Sequence, residues 1–341
     1  MTANIHGEMV YSFEQPMWHN ITEPSLVQMG AEEILDARFG GGFEILLRPV
    51  TVTLNGQAVE TGDLAVVRGN SPYDPQELVL AYCTSRYHPL QPREVAQCFD
   101  GNVRQPAETM AFLGNGEEMF ISWKMPEFEV VKGDSVQLFG IVRGGFDTKT
   151  SYRLFTSAVR PVCWNTITLA QGWADKNTDG EGRGNVWKGK AVSTELLKNL
   201  GYWMEHVQSR AEREAAMVEN LFKNLAHTPI KQDVEAHEIL YYAYPPVSST
   251  SSYYPAQLVS KKDEEIAKAN ESQAQLRDGI YELFAGGGTA ITADYWGMMN
   301  ATSEYFCHVQ ASKKPIAESV MFGGRAKNIK RMVDVLSERM G

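Results

Sequence analysis

Apolar and polar positions change period several times along the 341 residues. SLVQMGAEEILDARF, residues 25–39, repeats its apolar side chains every three to four positions, the spacing of one helix face. Ser25 is placed to cap its start, and Gly40, Gly41 and Gly42 to stop it. The period then drops to two. FEILLRPVTVTL and DLAVVRG flank Asn55-Gly56, a pair that readily adopts the positive φ angles of a type I′ turn, so a hairpin is predicted. ELVLAYCTSRY from Glu77 extends the sheet, and QPREVAQCFD from Gln91 reads as a short helix with Pro92 in its first turn. TMAFLGNGEEMFISWKM, EFEVV, SVQLFGIVRG and SYRLFTSAVRPV are further strands, joined by the Gly, Asn and Asp turns of antiparallel pairing. Residues 1–173 therefore read as a largely antiparallel sheet with a few helices, and the fold class as α+β.

Past Trp173 the texture shifts. ADKNTDGEGRGNVWKGK, residues 174–190, is polar, glycine-rich and without apolar period, a loop or linker. Residues 191–341 return to helical spacing and are expected to pack on the sheet as a helical region. Their helices are VSTELLKNLGYWMEHVQSRAEREAAMVENLFKNLA, KKDEEIAKANESQAQLRDGIYELF, TADYWGMMNATSEYFCHVQ and GGRAKNIKRMVDVLSERM, with the irregular YPPVSSTSSYYP between the first two.

A hydrophobic content of 43% fills a sizeable core. No apolar run is long enough to span a bilayer, and MTANIHGEMVYSFEQ lacks the basic-then-apolar order of a signal peptide, so a cytoplasmic location and no membrane partner are expected. Cys83, Cys98, Cys163 and Cys307 are far apart with no CxxC or Cys/His ladder, which predicts reduced thiols, no metal and no cofactor. Net charge is −10, but unevenly spread: residues 1–175 carry 21 acidic and 12 basic side chains, residues 176–341 carry 21 and 20. A site for a polyanion is thus expected in the second half.

RPVCWNTITLAQGW, residues 160–173, has two readings. As a strand-to-helix junction it makes Asn165 or Thr166 an N-cap and Cys163 a small buried side chain; as an active site it makes Cys163 a thiolate activated by the helix N-terminus. The first is preferred, because cysteine is among the most often buried residue types. The histidines form no HExxH pair and no triad can be argued, so no catalytic residue is assigned and a non-enzymatic protein is expected.

SRYHPLQPREVAQCFD, AETMAFLGNGEEMFISWKM and RPVCWNTITLAQ, followed in order by GTAITADYWGMMNATSEYFCHVQ and MFGGRAKNIKRMVDVL, resemble the phage/plasmid-like protein family, a domain of unknown function. The resemblance implies a phage-encoded protein working in its host's cytoplasm. One position departs from the family pattern: Cys307 stands before His308 where an aspartate is usual, which removes an Asp-His acid/base or metal role; His308, beside Tyr305 and Phe306, reads as a core or interface histidine. More distantly, the N-terminal order of strands, helix and hairpins is similar at the fold level to phage single-strand annealing proteins of the Red-beta and Erf type.

Two segments carry cations. GRGNVWKGK brings Arg183, Lys188 and Lys190 together around Trp187 with no acid among them. That mix suits single-stranded nucleic acid, where cations follow phosphates and an aromatic face stacks on a base. KKPIAESVMFGGRAKNIKR holds Lys313, Lys314, Arg325, Lys327, Lys330 and Arg331 against one acid, Glu318, and Gly323-Gly324 opens the last helix so that its N-terminus and Arg325 can receive a phosphate. The expectation is a single-stranded DNA-binding, strand-annealing protein of recombination or replication. It would act as a homo-oligomer, with phage or host recombination proteins as partners. The alternative is a structural or regulatory protein whose acidic first half docks a protein partner.

Overall fold

The computed structural model describes residues 10–13, 25–70, 76–160, 165–167, 187–189, 194–246, 256–286, 292–310 and 324–341. Its first helix, α1 (Ala31–Phe39), is capped at Gly30, five residues later than the expected cap at Ser25. Gly30 occupies the cap position and has no side chain to offer. Instead the Asp100 carboxylate, from another helix, accepts the N–H groups of Ala31 (2.7 Å) and Glu32 (2.9 Å). Ser25 is engaged elsewhere: its N–H donates to Ser12 O and its Oγ accepts from Val27 N. The glycine stop is as read, with Gly40 left-handed and Gly41 N–H on Leu35 O at 2.8 Å.

β2 (Ile45–Leu54) and β3 (Gln57–Arg68) form the hairpin, and Asn55 and Gly56 take φ of 51° and 80°. β4 (Leu78–Cys83) adds to β3 and completes a three-stranded antiparallel sheet in the order β2-β3-β4. α2 (Pro92–Asn102) opens on Pro92 and a reciprocal cap between Gln91 and Glu94. The same Gln91 amide bonds both backbone groups of Ile45, tying α2 to the base of the hairpin.

The larger sheet is antiparallel throughout its recorded pairs. β1 (Val10–Ser12), β5 (Thr109–Leu113), β6 (Glu118–Val131), β7 (Asp134–Gly145) and β8 (Tyr152–Arg160) follow in spatial order. EFEVV, expected as a strand of its own, is the continuation of β6. The register slips between Lys124 and Glu127, around Pro126, and this bulge is what lets a residue without an N–H sit inside a paired strand. α1 and α2 cover one face, with Phe39 edge-on to Phe112 at 5.5 Å and Phe99 edge-on to Trp123 at 5.8 Å. A Cβ at Gly140 would fall inside the Trp123 indole, so only glycine lets that ring lie across β7.

Beyond Arg160 the sequence reading needs correction. Asn165 and Thr166 are not the cap of a helix: β9 (Asn165–Ile167) folds back on β8, with Arg160 opposite Asn165 and Ala158 opposite Ile167. Ladder bonds available from an open sheet edge outweigh the weak helical spacing of so short a run. Cys163 and Trp164 lie outside the described residues, as does the rest of the expected loop 174–190 apart from β10 (Trp187–Gly189). β10 pairs with the other end of the same β8 edge.

The second half is helical: α3 (Thr194–Ser209), α4 (Ala211–Ala226), α5 (Asp233–Ala243), α6 (Ala256–Ala285), α7 (Tyr295–Glu304) and α8 (Gly324–Met340), with a π-helical turn, Tyr305–Val309, ending α7. α3 packs on α2, where Gly201 lies against Asn102. α4 packs on β6 through Phe222, whose ring meets Phe128 at 6.1 Å and Trp296 of α7 at 4.8 Å. Trp296 Nε1–H donates to the buried Asp134 carboxylate at 2.8 Å, pinning α7 to the start of β7. No described helix is long and apolar enough to cross a membrane.

Candidate nucleic-acid interface

α8 turns two different faces to its surroundings. Arg325, Ala326, Ile329, Met332, Val333 and Leu336 are buried, whereas Lys327 and Arg331 are exposed one turn apart. Lys330 lies beside them, half-buried and paired with Asp334 one turn on. Arg325 thus departs from its expected place. Its guanidinium is inside, donating from Nη1 to Phe306 O and from Nη2 to Gln310 O, both at 2.6 Å. The π turn is a break in the α-helical ladder, and Arg325 takes up carbonyls at that break. Burial pulls its pKa below the usual guanidinium value. In this position the guanidinium is a clamp between α8 and α7 rather than a phosphate donor on the helix surface.

At β10, Trp187 stands opposite Leu154 and Lys188 opposite Arg153, so the strand WKG lies along an outer edge of the large sheet. β9 pairs further along the same edge, and Leu154 to Ala158 spans about 13 Å at 3.3 Å per strand residue. α7 and α8 both lie against β9, and α3 lies against β8 and β10. The β8 edge therefore carries β10, with α3 against it, at one end and β9, with α7 and α8 against it, at the other. Arg183, Lys190, Lys313, Lys314 and Gly323 fall outside the described residues.

Cys307 and His308 part company within the π turn. Cys307 is buried with its Sγ 3.8 Å from Ser303 Oγ, whereas His308 is exposed rather than in the core. Burial pushes the Cys98 thiol up to about 11 and raises that of Cys83, so neither is a thiolate at neutral pH. Among the described residues, no three His, Cys, Asp or Glu side chains stand close enough together to hold a metal ion.

Two features escaped the sequence reading. Lys198, Tyr202, His206 and Arg210 recur every four residues along α3 and into the turn before α4, a helical spacing that was open to view in LLKNLGYWMEHVQSR. Glu214 of α4 is 3% exposed, and neither carboxylate oxygen has a hydrogen-bond partner. Glu212, Glu214 and Glu219 all read as solvated by type, and the spacing of Glu214 four and eight residues before Val218 and Phe222 was the one signal that put it on the buried face.

Comparison with curated proteins and with solved structures returns no match, so the fold-level analogy to phage annealing proteins gains no support there. Residues 79–334, from β4 to the last turns of α8, match a single family along their length, and the chain belongs to the family described as a domain of unknown function, DUF932.

Proposed function

We propose that this is a single-stranded DNA-binding protein of phage or plasmid setting that holds one strand along the β8 edge and presents it for annealing during recombination or replication. One observation carries the reading: the sheet edge that bears Trp187 and Lys188 also seats α8, the helix with Lys327 and Arg331 exposed on its outer side. Cations of this kind neutralise phosphates, and an aromatic residue among them suits a base that no partner strand covers. Copies of the chain side by side would lengthen the track and compensate for a weak single site. Arg325 has no part in it, because its donors are spent on carbonyls.

Fluorescence anisotropy of a labelled oligonucleotide at low salt tests the reading. The native protein is expected to bind single-stranded DNA, and reversing both exposed charges (Lys327→Glu with Arg331→Glu) to weaken binding at least tenfold, since attraction at two phosphates becomes repulsion. No binding by the native protein at any attainable concentration would end the proposal.

One observation favours the alternative of a protein-binding role. In the outer half of the β2–β3 hairpin, Val52 and Val59 pair across one face with Leu54 two residues on, and all three are exposed. An apolar ribbon open to water is a surface that suits a protein partner.

A further inference from the structure

Tyr202 is 59% exposed on α3, and its ring is stacked over His206, with 6.2 Å between centroids and 19° between planes. Trp203 meets both rings edge-on, at 5.9 Å and 5.2 Å, and is itself partly buried against the core. The platform is therefore anchored from below by Trp203, which limits the side-chain freedom lost when something settles on Tyr202. Cations stand one turn away on each side. Lys198 is exposed one turn before Tyr202, and the Arg210 guanidinium approaches His206 Nε2 at 3.5 Å one turn after it. Arg213, also exposed, follows on α4. From Lys198 to Arg210 the ridge runs about 18 Å at 1.5 Å per residue. Its acidic neighbour Glu205 borders the other side, facing a cleft of about 900 Å³ shared with Asn102, Gln105 and Gln208.

We infer that this ridge is a second base-stacking platform, taking an unpaired nucleobase on the open face of Tyr202 while Lys198 and Arg210 hold the flanking phosphates. The inference rests on the nucleic-acid reading above and extends its site, because α3 packs directly against β10, which carries Trp187 and Lys188. A strand leaving the β8 edge at β10 therefore has α3 beside it. An exposed tyrosine alone is an ordinary surface feature. A tyrosine stacked on histidine, braced by tryptophan and flanked at helical spacing by cations meets both requirements of single-strand binding, a π face and a charged rail.

The test compares two probes, labelled oligo(dT) and the same backbone with abasic sites, against the native chain, Tyr202→Ala and Tyr202→Phe. Tyr202→Ala is expected to weaken oligo(dT) binding about tenfold and to leave the abasic probe unchanged, whereas Tyr202→Phe keeps native affinity for both. Native-like oligo(dT) binding by Tyr202→Ala overturns the platform and leaves the β8-edge reading standing. Equal losses on both probes, or loss in the Phe variant as well, overturn stacking as the role of Tyr202. Sedimentation of the same variants covers the remaining use of such a surface: if Tyr202→Ala changes only the oligomeric state, the ridge is a contact between copies of the chain and the inference fails. Failure of the native protein to bind either probe removes both proposals together.

Discussion

Glu214 is a carboxylate in surroundings that do not suit its charge. It lies on the face of α4 that carries Val218 and Phe222 into the core, and desolvation raises its pKa from 4.5 to about 7, opposed only by the charge of Arg210. Both oxygens lack hydrogen-bond partners, so an ionised Glu214 has only the nearby Arg210 charge to offset its burial. The raised folded-state pKa sets the sign of the pH dependence. Below about 4.5 the side chain is protonated in folded and unfolded chains alike, and its contribution is fully present. Between 4.5 and 7 the unfolded chain releases the proton and the folded chain keeps it, so stability falls as pH rises, by about 3 kcal/mol in all, and levels off above 7. Urea midpoints measured from pH 5 to 8 should show that decline in the native protein. Glu214→Gln, neutral throughout, should flatten it and be the more stable protein at pH 8. Parallel slopes in the two proteins would mean that Glu214 is ionised in the folded chain.

The elements divide by where their determinants lie. At the hairpin tip, Asn55 and Gly56 supply positive φ from two adjacent residues, and at α2 Pro92 and the Gln91–Glu94 cap sit within four; both were legible because cause and effect are neighbours in the chain. The start of α1 was not, because its cap is Asp100, roughly seventy residues away in sequence, and nothing local distinguishes Ser25 from a working cap. Asn165–Ile167 was misread for a related reason, since three residues with neither strong alternation nor a long helical repeat take the structure that an open edge of β8 offers them. Arg325 is the instructive case. Its charge placed it with Lys327, yet four residues separate it from Ile329, and that ridge runs on through Met332, Val333 and Leu336, so periodicity already put it on the buried side. The expected consequence is a separation of roles within one helix. Removing the clamp in Arg325→Ala strands two carbonyls at the π turn and should lower stability by about 2–4 kcal/mol. Lys327→Ala and Arg331→Ala should each stay within about 0.5 kcal/mol of the native protein. Thermal or urea unfolding of the three variants decides this, and equal effects would place Arg325 among the surface cations after all.

At the scale of the whole molecule the proposed function requires a chain of net charge −10 to attract a polyanion. Summed charge acts at long range and repels, whereas charges near a bound strand act within a Debye length of about 10 Å at 0.1 M salt, so the proposal needs Lys327, Arg331 and Lys198 to outweigh neighbouring acids such as Asp334 and Glu205 at that range. The basic stretches were visible in the sequence. That the elements carrying them attach to one strand was not, because it depends on β9 and β10 sharing the edge of β8, on α8 packing against β9 and on α3 packing against β10. This arrangement makes a quantitative demand on salt dependence. Each phosphate neutralised on a single strand contributes about −0.7 to the slope of log affinity against log salt. Replacing Lys327 and Arg331 together by alanine should therefore flatten the slope by about 1.4, while Tyr202→Phe, which touches no charge, leaves it where it was. Anisotropy titrations of oligo(dT) across 25 to roughly 200 mM salt give the three slopes directly. A native slope near zero would mean that no phosphate track exists and that any binding is by stacking alone. An unchanged slope in the double variant would put the track elsewhere than α8.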